Sequence, residues 1–106
     1  MELNINEVIT NMANAIKGSL SEDWSSVKND VASFLTNRKN RLELLAKARI
    51  KGKIDDEFFL EILNDEKDML VSELHSYALI SKVMAQNATN AAIEVLNSAI
   101  KALVRL

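Results

Sequence analysis

Apolar residues recur at helical spacing along both halves of the chain. In the second half they keep one phase of 3.6 residues per turn from Phe59 to the C-terminal Leu106, and in the first half from Ile9 to Ala46. Many of them are also spaced by 11 residues, as in Ile9, Leu20, Val31 and Leu42, a period that nearly matches a straight helix. The pattern predicts two long helical arms.

The clearest boundary between the arms is the segment around Gly52. Bases precede this glycine, as expected near a helix C-terminus, and glycine readily adopts the left-handed closing conformation. Asp55 is a good N-cap for the next helix, and Ile54 and Phe59 are placed to form a hydrophobic staple around it. We therefore predict a tight turn that reverses the chain.

Two places could interrupt the arms. Gly18 and the capping-box pattern Ser19-Leu20-Ser21-Glu22 favour a stop near residue 17 and a new start near residue 22. The retained apolar phase favours a kink there, and a first helix that folds back is the alternative. Residues 86–90 are poor helix formers, but the phase does not change across them. The predicted helices are about 5–17, 22–51 and 56–105.

Composition agrees with an all-α fold in a single domain, 1–106. The chain has no proline and only two glycines, and 48% of its residues are apolar, whereas β-containing folds need more turn residues. Cysteine is absent, which excludes disulfides. The N-terminus lacks the pattern of a signal peptide and no window is apolar enough to span a membrane. We expect a long antiparallel helical hairpin in a cytoplasmic protein.

Charge is segregated on either side of the turn. Residues 38–53 carry seven bases and one acid, and residues 54–73 carry eight acids and one base. An antiparallel hairpin places these segments side by side, which specifies the register of the two arms. The acidic arm also cancels the field of the basic stretch Asn37-Arg38-Lys39-Asn40-Arg41, so we do not expect nucleic-acid binding. The stems of Arg38 and Arg49 are expected to cover the core while their head groups reach Glu66 or Glu57.

The second arm carries more apolar surface than one neighbouring helix can cover. The simplest cover is a second copy, which gives a coiled-coil-like four-helix bundle as a homodimer. An unknown protein partner is expected in addition. The candidate interface residues are Leu79, Ile80, Val83, Ile93, Ile100, Val104, Phe58, Ile62 and Met69.

The sequence carries no motif of a catalytic, cofactor or metal site. The Glu-x-x-His motif of di-iron bundles is absent, since Ser72 precedes the only histidine, His75, by three positions. No serine-nucleophile motif or phosphate-binding loop occurs either. The sequence therefore predicts a non-enzymatic structural or interaction protein. One alternative is binding to a membrane surface through the amphipathic residues 77–106. A weaker alternative is a bundle that binds a cation through Glu57, Glu61 and Asp65.

Overall fold

A computed structural model describes residues 3–78 and 80–104, without the side chains of residues 77 and 78. It is 91% helical, and this part of the chain contains no strand. The helices are α1 (Ile5–Leu20), α2 (Trp24–Ile50), α3 (Asp56–Ala78) and α4 (Lys82–Val104), with a 3₁₀ turn at Ser21–Asp23. The predicted all-α class is confirmed.

The first half of the chain is helical over 46 residues, and the 3₁₀ turn divides it into α1 and α2. Asn4 caps α1, since its Oδ1 accepts a hydrogen bond from the amide of Glu7 at 3.1 Å. Ser21 ends α1 with a positive φ of 50°. Residues other than glycine adopt such a backbone conformation only at a cost in free energy. The longest dimension of the molecule is 39 Å, the length of α2 alone at about 1.5 Å per residue. Therefore α1 does not extend α2 but folds back against the other helices.

The turn between α2 and α3 forms as its sequence predicts. Gly52 has a φ of 73°, and the amide of Lys53 donates to the carbonyl of Ala48 at 2.9 Å, which closes α2 with a Schellman-type bond. Asp55 caps α3, because its Oδ1 accepts from the amide of Phe58 at 2.8 Å. The predicted antiparallel hairpin is confirmed in α2 and α3.

The expectation of one continuous helix over 56–105 is wrong. The helix ends at Ala78 and a new one starts at Lys82. Ser81 stabilises the start of α4, since its Oγ accepts from the amide of Met84 at 3.1 Å. His75 also holds this turn, because its Nδ1 lies 2.9 Å from the carbonyl oxygen of Ile80. A carbonyl only accepts, so Nδ1 carries the proton. Residues 86–90, the weakest stretch by helix propensity, lie inside α4.

One apolar core holds the four helices together. Its centre is the contact of α1 with α4, where the alanines of α4 let the two helices approach closely. In this contact the apolar stripe of α4 is covered by α1 of the same chain. The buried apolar residues of these two helices are Ile5, Val8, Met12, Ile16 and Leu20 in α1 and Ala85, Ala88, Ala92, Leu96 and Ile100 in α4.

Candidate interaction surface

The nine residues predicted to form an interface are scattered by the fold. Ile80 and Ile100 are buried in the core, where a second copy could not reach them without opening the chain. Ile62, Met69 and Ile93 are half-buried. Phe58, Val83 and Val104 are exposed, and Leu79 lies outside the described residues.

The most exposed large apolar side chain in the described part of the chain is Leu44, which leaves 72% of its surface open to solvent. Sequence reasoning missed it because it lies off the apolar stripe of α2. The sequence did carry a signal for it. Leu42 and Leu45 already fill the core-facing positions of this turn, so a further leucine at position 44 must point away from the core. Phe58, on the neighbouring helix, is 49% exposed.

Leu44 and Phe58 belong to the same outward side of the hairpin formed by α2 and α3. Ion pairs fix the relative heights of the two helices: Arg41 Nε meets Glu66 Oε1, and Arg49 Nε lies 3.6 Å from Asp56 Oδ1. Interpolation between these pairs places Leu44 level with Ile62, one turn beyond Phe58.

We call this outward side the hairpin face. On α2 its members follow one another at intervals of three or four residues, and on α3 they form two neighbouring rows, each with a spacing of four residues. They are Leu44 and Lys47 on α2, Lys51 at its C-terminal cap, and Glu57, Phe58, Glu61, Ile62 and Asp65 on α3. All are exposed except the half-buried Ile62.

The charges of the hairpin face are divided between its two helices. The stripe of α2 is basic and the stripe of α3 is acidic. Lys47 lies 3.7 Å from Glu43 of its own helix, whereas Lys51, Glu57 and Glu61 form no ion pair within residues 3–78 and 80–104. The face therefore combines exposed apolar side chains with charges that remain open to a partner.

Beside the hairpin face, α2 and α3 enclose a buried carboxylate. Glu66 is only 3% exposed and contacts Arg41, while Arg38 Nη1 lies 3.8 Å from its second oxygen. Arg41 Nε forms an ion pair with Glu66 Oε1, and this oxygen accepts no hydrogen bond from the described residues. Arg38 also lies 5.3 Å from the centre of the Phe34 ring and donates to Met69 Sδ at 3.1 Å. As predicted, Arg38 reaches Glu66, whereas Arg49 pairs with Asp56 rather than Glu57.

The groove next to this carboxylate is not built to select a charged ligand. It has a volume of about 430 Å³ and is lined by both arginines, Phe34, Asp30 and Glu73, with polar side chains between them. Because its bases and acids nearly balance, the groove does not select an anion or a cation. The two arginines of the basic stretch are thus engaged with Glu66 rather than free for phosphate.

The residues proposed for cation binding do not converge. Glu57, Glu61 and Asp65 follow one another along the exposed side of α3. Among the residues described, no three acidic, histidine or cysteine side chains are placed to hold a metal ion. Of the two ring nitrogens of His75, Nδ1 is engaged with the carbonyl of Ile80.

The class of protein is given by the fold alone: an all-α chain whose helices pack on one core. Comparison of the chain with protein-family models, with curated proteins and with solved structures finds no match. No helix within the described ranges is both long and apolar enough to cross a membrane.

Proposed function

We propose that this chain is a non-enzymatic interaction protein that binds a protein partner through the hairpin face. The observation that carries the proposal is that two of the large apolar side chains exposed on the surface, Leu44 at 72% and Phe58 at 49%, lie on one side of the hairpin. Exposed apolar residues bordered by charged ones are typical of binding surfaces, and aromatic side chains contribute strongly to such contacts.

The alternative of membrane-surface binding through residues 77–106 has less support. Such binding requires α4 to present its apolar stripe to lipid, but Ala88, Ala92 and Leu96 are fully buried. Because α1 covers this stripe, α1 would have to detach first. Cation binding also has less support, since the three carboxylates lie along an open helical surface rather than around a common point.

In the experiment, three forms of the chain are immobilised and each is incubated with a native lysate. The proteins that each form retains are identified by mass spectrometry and compared. The wild-type form is compared with a double variant, Leu44→Glu and Phe58→Glu, and with a control variant, Val83→Glu. Val83 is 64% exposed on α4, so the control adds a charge at an equally apolar surface position outside the hairpin face. Exposed substitutions change stability little, and circular dichroism verifies that all three forms are folded.

We expect at least one protein, including the chain itself, to be retained by wild type and by Val83→Glu but lost from the double variant. Glutamate at these positions would place an unpaired charge against the apolar part of the contact. The proposal is contradicted when every protein retained by wild type is retained equally by the double variant.

A further inference from the structure

The hairpin face has the arrangement that a two-fold symmetric contact requires. In such a contact the same patch serves on both subunits, so a patch must complement itself. A basic stripe beside an acidic stripe meets this condition, because rotation about an axis between the two stripes exchanges them. The exposed apolar residues Leu44 and Phe58 lie between the basic and the acidic side chains. A contact of this kind has an apolar centre from which water is excluded and a polar rim.

We propose that the partner of the hairpin face is a second copy of this chain, related by a two-fold axis parallel to α2 and α3. This inference rests on the proposed function. The axis places α2 of each copy over α3 of the other and leaves residues at equal heights. Since Leu44 is level with Ile62 within one chain, it then packs against the partner's Ile62, one helical turn from the partner's Phe58.

The charges choose this axis over the other possible one. A two-fold axis perpendicular to the helices, within the contact plane, would place α2 on α2, with Lys47 and Lys51 against the same bases of the partner. Like charges placed together across a contact oppose association. The parallel axis brings Lys47 and Lys51 over the acidic stripe that contains Glu57 and Glu61, all of which are exposed.

This dimer differs from the one expected from the apolar surplus of residues 77–106. That surplus is covered by α1, and only Phe58 and Ile62 of the nine predicted interface residues belong to the hairpin face. Leu44, the most exposed apolar side chain described, becomes the central contact.

The test is analytical ultracentrifugation of the full chain over micromolar to millimolar concentrations, with two charge-reversed variants. The first carries Lys47→Glu and Lys51→Glu, which makes both stripes acidic. The second carries Glu57→Lys and Glu61→Lys, which makes both stripes basic. We expect wild type to move from the mass of one chain to that of two, and each variant alone to dimerise about tenfold more weakly or worse.

An equimolar mixture of the two variants is the decisive sample. Each acidic stripe then faces a basic one, so the mixture is expected to dimerise at concentrations where neither variant does, and more weakly as salt is added. A change that only damaged folding would not be rescued by mixing. A wild-type chain that stays monomeric throughout, or a mixture no tighter than its components, overturns the inference. A monomeric chain that still captures another protein through Leu44 and Phe58 leaves the proposed function standing.

Discussion

Thr89 provides a direct test of the packing in the core. The residue lies in α4, is 0% exposed, and its Oγ1 forms no hydrogen bond with any described residue. Valine has nearly the same shape and replaces the hydroxyl with a methyl group. Because an unsatisfied buried polar group costs about 1–3 kcal/mol, and valine and threonine have similar helix propensities, we expect Thr89→Val to stabilise the fold by about 1–2 kcal/mol.

The measurement is urea denaturation followed by far-ultraviolet circular dichroism. With a slope of about 2 kcal/mol per molar urea, the middle of the range for small proteins, the midpoint should rise by roughly 0.5–1 M at unchanged slope. The melting temperature should rise by about 4–8 °C per kcal/mol. Thr89→Ser is the matched control: it keeps the hydroxyl and loses the methyl group, so we expect a loss of about 1 kcal/mol.

A destabilised Thr89→Val chain would refute the reasoning. It would mean that the hydroxyl makes a hydrogen bond worth more than the buried methyl group that replaces it. Stabilisation by both valine and serine would also contradict the account, since serine retains the hydroxyl that is held to be unfavourable.

Three further predictions concern the turns and the buried carboxylate, each measured by the same denaturation. The two glycines should respond oppositely to replacement by alanine. Gly18→Ala should stabilise the fold by about 0.5–1 kcal/mol because it removes a glycine from helix α1, whereas Gly52→Ala should destabilise it by about 1–2 kcal/mol because φ is 73° there. Equal effects of the two substitutions would contradict this. Arg41→Ala should destabilise the fold by about 1–3 kcal/mol because the buried Glu66 keeps only Arg38, 3.8 Å away, as an ion-pair partner. Glu66→Met should be nearly neutral or stabilising, since it removes the buried charge. A Glu66→Met chain less stable than Arg41→Ala would refute this account. His75→Ala should cost about 0.5–1.5 kcal/mol by freeing the carbonyl of Ile80, and an unchanged midpoint would show that the bond is unimportant.

Sequence reasoning worked best where the signals were local. The turn at Gly52 needs a left-handed residue, a cap and a reversal of charge, and all three are encoded within a few residues. The cap by Asp55 and the positive φ of Gly52 therefore follow directly. The partner of Arg38 was also predictable, because an antiparallel hairpin about a known turn fixes which residues lie side by side.

The break between α3 and α4 was not predictable from periodicity. A common helical phase of the apolar residues is found in one continuous helix. It is also found in two helices joined by a short turn when the turn happens to preserve the spacing of the buried positions. Helix propensity pointed to the wrong place, since residues 86–90 are helical and the turn lies earlier. The side chains that stabilise the turn, Ser81 and His75, have several ordinary roles in helices, and their use as turn contacts depends on the geometry around Ile80.

The same ambiguity explains why the apolar surplus did not reveal which helix covers it. A count of apolar residues shows that α4 needs more than one neighbour, but it does not say whether the neighbour comes from another copy or from the same chain. Once Ser21 reverses α1, the short helix supplies that cover itself, and the stripe of α4 is no longer available. The surface proposed here for a partner lies on the side that α1 does not reach. On the outward side of α2 and α3, Leu44 and Phe58 have no such cover. The charge segregation that is expected to set the register within the chain also gives this side the basic and acidic stripes on which the proposed contact with a second chain depends.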